Sequence, residues 1–479
     1  MQLGYSDVWL RGLSVLFGVG SVWLVYCLGK RLLDQRTGLL AALLVAVSPL
    51  FINHSQEIRM YSLSSFLSLL GSVFFLQVLA YPRVQRQGRS HWLSVAGWSG
   101  SRWLAALTTP LNIFLLLPDA LLFVLRWWRR PRRFVVFCAG ALFTVAAMLP
   151  TLGAQVAGGA AKEFFESQVV HYSKPGILQI FGMVSQLSSL WPLRFFLESQ
   201  FQNDLARNEL SDTSLLNYFL QSLNGPLIFY AVMILTVLGV FLLAVGQMAF
   251  GNTQKRFAFV TLSAWALLPA GLVLLLSYVS GSLWFPRYLL GFAPYAILLL
   301  AAGFIRLWRW RRLSWAIGAG YVCSLGISLT NYYGPIPYRN DWQTASALIA
   351  QLEQPGDKII YYAPPRYYKY SFPRYYQGDN DITLVTRPRE ADALAVEHIR
   401  ETLSGVMPVE SRFWVICWWL CSNRDASDQA AVDNIASTLG GDTVVLADRI
   451  QLDSLGNYPI RIYLFTPAAQ LTRADSSVQ

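Results

Sequence analysis

Long apolar runs constrain this chain more than any other feature. They recur from Leu13 to Leu329 and are roughly 15–23 residues long, close to the ~20 that a helix needs to cross the hydrocarbon core of a bilayer. A backbone inside lipid must satisfy its own hydrogen bonds, so each run reads as a helix. We read ten spans: Leu13–Gly29, Gly38–Ile52, Met60–Ala80, Trp92–Leu107, Pro110–Leu125, Phe134–Leu152, Leu227–Met248, Phe257–Val279, Tyr288–Ile305 and Leu313–Leu329. Composition agrees. The 479 residues are 54% hydrophobic and 14% charged, whereas soluble domains carry about 25% charged residues.

The charge has a direction. Lys and Arg number 38 against 27 Asp and Glu, a net +11. One set of alternate loops, with Lys30–Arg36, Arg83–Arg89, Arg126–Arg133, Lys255-Arg256 and Arg306–Arg312, holds seventeen basic residues and one acid, Asp34. The opposite set, including the long 153–226 loop, holds six basic residues and seven acids. By the positive-inside rule the basic loops are cytoplasmic, and the excess charge answers to insertion and anionic lipid rather than to nucleic acid. The segment 53–61, the 153–226 loop and everything after Asn331 then face outside, and so does Met1. No cleavable signal peptide is visible. Cys27, Cys138 and Cys323 lie in apolar runs and read as packing residues. Cys417 and Cys421 would be too far apart for a disulfide if they share an extended strand.

The domains follow: a transmembrane domain at 1–332 and an extracytoplasmic domain at 333–479. In the tail the apolar runs shorten to strand length. Strands are predicted at Lys358–Tyr362, Ile382–Val385, Phe413–Trp418, Thr443–Ala447 and Arg461–Phe465, and helices at Asp341–Glu353, Glu390–Leu403 and Ala426–Leu439. Such alternation indicates a small α/β domain. The tyrosines of Tyr361–Tyr376 fit a sugar-stacking surface, or an interface against the membrane, which we favour. No internal repeat, phosphate-binding loop, dinucleotide fingerprint or HExxH is present.

Polar groups gather at two outward-facing junctions. "SPLFINHSQEIRMYSL" at 48–63 places Asn53, His54, Gln56, Glu57, Arg59 and Tyr61 between two apolar runs. "SGSLWFPRYL" at 280–289 places Arg287 among Trp284, Phe285 and Tyr288. Two guanidiniums at a lipid boundary suit a lipid-linked phosphate; a solvated loop and a snorkelling arginine are the structural alternatives. Arg102 and Asp119 fall inside the fourth and fifth spans. At 1.5 Å rise per residue their depths differ by about 5 Å, so they are expected to pair structurally within the bundle, and exchanging the two charges is then expected to rescue either single change.

The stretch "RGLSVLFGVGSVWLVYCLGKRLLDQRTGLLAALLVAVSPLFINHSQEIRMYSL" resembles the membrane glycosyltransferases of the protein O-mannosyltransferase and aminoarabinose-transferase type, with the GT-C fold. "WFPRYLLGFAPYAILLLAAGF" at 284–304 and "DWQTASALIAQLEQPGDKIIYY" at 341–362 are similar to later elements of bacterial members. The resemblance implies an inverting transfer of a sugar from a polyprenyl-phosphate donor to a hydroxyl of a protein, lipid or glycan, on the outer face of the bacterial cytoplasmic membrane. It implies a catalytic role for Glu57, donor-phosphate contacts from Arg59, Tyr61, Arg287 and Tyr288, and acceptor or metal contacts from His54 and Gln56. It assigns no metal site. A divalent cation around His54 and Glu57 stays open, because one such pair is a weak metal signature. The family's principal acid lies in a first outer loop before the Arg-x-x-Ser element, and Asp7 does not fall there, so the sequence is expected to lack its amino-terminal helix and that acid. A lipid-linked-sugar flippase and a non-catalytic assembly partner are the alternatives. The gathering of polar groups at one interface, without a repeat, speaks against transport.

Overall fold

The computed structural model describes residues 7–80, 88–127, 131–157, 174–176, 180, 183, 225–279, 283–333, 341–362, 371–385, 412–418, 444–452 and 460–467. Most of the 153–226 loop, the segment 363–370, the two later tail helices and Cys421 lie outside the described residues. The chain divides into two compact units, Met1–Asn331 and Tyr332–Gln479.

The first unit is helical: α1 (Asp7–Leu32), α2 (Gln35–Ala46), α3 (Pro49–Ser55), α4 (Tyr61–Ala80), α5 (Gly88–Thr108), a 3-10 segment (Pro110–Leu115), α6 (Leu116–Trp127), α7 (Pro131–Ala157), α8 (Gly225–Ala249), α9 (Thr253–Val279), α10 (Pro286–Leu289), α11 (Ala293–Leu307) and α12 (Arg311–Tyr332). Among the described residues, five helices are long and apolar enough to cross a membrane, and six if the bent α2–α3 pair is one span.

Two expected spans are broken. The run Gly38–Ile52 bends by 60° between α2 and α3. The cause is Pro49 at the start of α3, which holds Ser48 in extended backbone (φ −70°, ψ 121°), since a residue before proline is pushed out of the helical region. The run Tyr288–Ile305 divides at Leu290–Phe292 into α10 and α11. Both breaks fall beside the polar junctions singled out in the sequence.

Glycines let several helices approach closely. A Cβ on Gly29 would lie 2.5 Å from Gly38 Cα, joining α1 to α2, and one on Gly303 would lie 2.2 Å from the Val240 carbonyl oxygen, joining α11 to α8.

The second unit holds α13 (Trp342–Leu352), β1 (Lys358–Tyr362), α14 (Phe372–Tyr375), β2 (Ile382–Val385), β3 (Phe413–Trp418), β4 (Val444–Leu452) and β5 (Ile460–Pro467). The sheet order is β2-β1-β3-β5-β4. The first three strands are parallel, and β5 and β4 add antiparallel. Asp341 caps α13 by accepting from Thr344 N at 2.9 Å, a favourable N-cap. Ala345 and Ile349 of α13 are packed with Ile359, Tyr361, Trp414, Ile416, Ile460 and Ile462 of the sheet. Buried Asp357 is compensated by Trp414 Nε1 at 2.9 Å, Arg412 Nη2 at 2.9 Å and Gln354 N at 3.0 Å. Strand β4 runs beyond the expected Ala447 to Leu452, past an irregularity between Leu446 and Asp448.

Candidate functional site

The site is built from the two breaks. Helix α3 ends at Ser55, and residues Gln56–Met60 turn the chain into α4. His54, in the last turn of α3, meets Glu57 three residues on: Nδ1 lies 2.8 Å from Oε2, with the two side chains only 8% and 15% exposed. A carboxylate only accepts, so Nδ1 carries the hydrogen of this contact, and Nε2 is the ring's acceptor whenever the imidazole is neutral. The solvated-loop alternative does not describe Glu57, because the short turn presses it against the buried imidazole. Tyr61 packs edge-on to His54 at 5.2 Å, and Ser62 donates to the His54 carbonyl at 2.8 Å. Gln56 caps α3 and is half-buried, whereas Arg59 is exposed.

The second half comes from α10. Arg287 lies over the rings of Phe285 and Tyr288, 4.8 and 4.9 Å from their centroids. Tyr288 lies within electrostatic range of Arg287, Tyr61 and Arg59. Residues more than two hundred positions apart are thus brought together: Arg59 and Tyr61 from one junction, Arg287 and Tyr288 from the other. Trp284 and Phe285, expected as interfacial anchors, are buried. Among the described residues no three His, Cys, Asp or Glu side chains cluster as a metal-ligand set.

Behind this pair of junctions lies a polar network that the sequence only partly disclosed. Arg102 and Asp119 pair as expected, Nε to Oδ2 at 2.8 Å, with 1% and 0% of their side chains exposed. Asp119 also accepts from Trp98 Nε1 and Trp265 Nε1, each at 2.8 Å. Arg102 donates from Nη1 to the Ser68 carbonyl at 2.7 Å and from Nη2 to Ser72 Oγ at 2.9 Å. Tyr295 on α11 meets Ser72 Oγ at 2.7 Å and the Ser68 carbonyl at 3.1 Å. Gly71 leaves room for the guanidinium; a Cβ there would sit 3.1 Å from Nη1. The available signal was the serine spacing of α4. Ser64, Ser68 and Ser72 recur every four residues and Ser65 adjoins them, and all four are buried.

Residues 1–153 match the family model described as dolichyl-phosphate-mannose-protein mannosyltransferase. It is the GT-C membrane glycosyltransferase type that the sequence resembles, and the matched segment contains α1–α6, most of α7, the His54–Glu57 pair and Arg59. No curated protein matches the chain in sequence. Among solved structures, ArnT from Cupriavidus metallidurans in the apo state is 12% identical with a TM-score of 0.40, over 95% of this chain and 83% of that one. ArnT bound to undecaprenyl phosphate is 11% identical with a TM-score of 0.38, over 96% and 85%. The apo oligosaccharyltransferase of Archaeoglobus fulgidus is 14% identical with a TM-score of 0.42. The match covers 86% of this chain and 59% of that one, so this chain spans under two thirds of its length. Likenesses at these scores carry no argument about chemistry.

Proposed function

We propose that this chain transfers a sugar from a polyprenyl-phosphate donor to a hydroxyl acceptor, with inversion, on the outer face of a bacterial cytoplasmic membrane. The proposal includes ten spans for the first unit and an extracytoplasmic place for the second. The observation that carries it is the convergence of a buried His54–Glu57 pair with Arg59, Tyr61, Arg287 and Tyr288.

Each group has a chemical task. Arg59 and Arg287 hold the donor phosphate, since a guanidinium binds phosphate oxygens through paired N–H bonds and stays charged at any working pH. Tyr61 and Tyr288 orient the same phosphate through their hydroxyls. The attacking hydroxyl must lose a proton as it joins the anomeric carbon, while the lipid phosphate leaves with the bonding electrons. In this reading His54 Nε2 receives that proton, with Glu57 holding the ring and stabilising the imidazolium that forms. The two guanidiniums stabilise the negative charge growing on the departing phosphate. Gln56 lies on the acceptor side of the same turn.

The test is transfer of radiolabelled sugar from polyprenyl-phosphate donors in membranes. It compares the 479-residue chain with one extended by the in-frame codons upstream. Transfer that is abolished by Glu57→Gln and cut at least about tenfold by Arg59→Ala supports the proposal. Absence of transfer with every donor sugar, in both forms, would overturn it. Movement of the intact lipid-linked sugar between leaflets would then favour the flippase reading.

A further inference from the structure

The geometry points to a positioning role for Tyr295: its hydroxyl, backed by Ser72 and the Arg102–Asp119 pair, sets the distance between the two halves of the candidate site. Only the kinetic part of this inference rests on the proposed transfer; the distance itself does not.

One half of the site ends at Tyr61, where α4 begins. The other half, Arg287 and Tyr288, lies on α10 just before α11. Ser68 follows Tyr61 by two helical turns, about 10 Å along α4 at 1.5 Å per residue. Tyr295 follows Tyr288 by the same seven positions. The Tyr295 contacts with Ser72 Oγ at 2.7 Å and the Ser68 carbonyl at 3.1 Å bridge α4 and α11, the two helices that follow the two halves.

The bridge is locked from behind. Arg102 donates to both of the groups that Tyr295 meets, and Asp119 holds Arg102 by two hydrogen bonds, 2.8 and 3.2 Å. Trp98 and Trp265 then fill the remaining positions on that carboxylate. Either Tyr295 donates to Ser68 and receives from Ser72, or it donates to Ser72 and Ser72 donates to Ser68, where the distance is 3.2 Å. In both arrangements the Tyr295 and Ser72 hydroxyl hydrogens are used. Satisfied hydrogen bonds in a low-dielectric interior resist displacement.

Such a tie matters because two arginines, one in the turn before α4 and one on α10, must reach one phosphate. Polar recognition of this kind tolerates errors of only about 0.5 Å. Tyr295→Phe keeps the ring and removes the tie. Ser72→Ala removes the Ser72 contact and leaves Tyr295 its bond to the Ser68 carbonyl, so it is the milder second variant should the first fail to fold.

The experiment uses the full chain in lipid nanodiscs. Spin labels are placed at Met60→Cys and Tyr288→Cys after replacing the native cysteines. Donor KM and kcat are measured in the unlabelled chain. The expected result is a distance distribution that broadens or shifts in both variants, with donor KM raised about three- to tenfold, the worth of one hydrogen bond. The expected kcat stays within about twofold. A purely structural role lowers thermal stability while leaving distance and KM unchanged, and that result overturns the inference. If the unsubstituted chain shows no transfer, a changed distance still upholds the tie while the transfer reading fails. An unchanged distance sinks the inference whatever the activity.

Discussion

Asp119 shows how much one buried carboxylate can depend on its company. Both of its oxygens accept two hydrogen bonds, from Arg102, Trp98 and Trp265. Removing one partner of a buried ion pair leaves an uncompensated charge and costs about 3–5 kcal/mol. Arg102→Ala and Asp119→Ala are each expected to lower the detergent melting temperature sharply. The tryptophans also revise the expectation of rescue by charge exchange. Arg102→Asp combined with Asp119→Arg would aim two indole N–H groups at a guanidinium, donor against donor, so melting of the double variant is expected to stay well below that of the unsubstituted chain. Full recovery would show that the ion pair acts without its indole donors. His54→Gln is expected to weaken transfer about as much as Glu57→Gln, because a base and the group that orients it act as a unit. Independent, multiplying effects would separate the two.

At the scale of elements, close backbone approach and burial set the expectations. Gly303→Ala would put a methyl carbon 2.2 Å from the Val240 carbonyl oxygen. Backbone cannot retreat as a flexible side chain does, so α11 must shift from α8, at about 1–3 kcal/mol. Gly326 of α12 has nothing within 4 Å of its Cβ position. Gly326→Ala is the matched control and is expected to leave melting unchanged or raise it. In the second unit, burial pushes the Tyr361 phenol up to about 12, against a smaller opposing effect of its bond to Ser371. An unfolded tyrosine titrates near 10. The raised value means that the fold favours the neutral phenol. Its contribution is fully present below about pH 10 and is lost as pH rises toward 12. Tyr376 is raised in the same sense by burial and by its bond to Glu353. Chemical denaturation between about pH 9 and 12 is expected to show stability falling across that window, and Tyr361→Phe to flatten part of the fall. An unchanged slope would show that Tyr361 titrates alike in the folded and unfolded chain.

At the scale of the whole molecule, orientation is the open quantity. Basic residues dominate one set of loops, and five or six described helices qualify as spans by length and apolarity. Single cysteines at Met60 and Arg312 report on it directly. In intact cells an impermeant maleimide is expected to label position 60, and to label position 312 only after permeabilisation. The reverse pattern would invert the proposed topology and place the His54–Glu57 pair on the cytoplasmic side, where the proposed reaction does not belong.

Much of this was legible in the residues themselves. Apolar run length, basic loops and strand-length tail segments depend on local composition, and they located most helices and all five strands. The pairing of Arg102 with Asp119 was readable because two charges in apolar spans have few other means of stabilisation. Three things were decided only by tertiary structure. The Ser48-Pro49 and Leu290–Phe292 breaks turned two expected spans into helix pairs, because proline and packing act on direction while hydropathy records only length. Tyr295 and Trp265 joined the polar network from helices far from Arg102 in sequence, Trp98 joined it from one turn away on the same helix, and nothing local distinguishes an aromatic that donates a hydrogen bond from one that merely packs. The meeting of Arg59 with Tyr288 arose likewise, since a site assembled from two distant junctions exists only once the helices between them have closed.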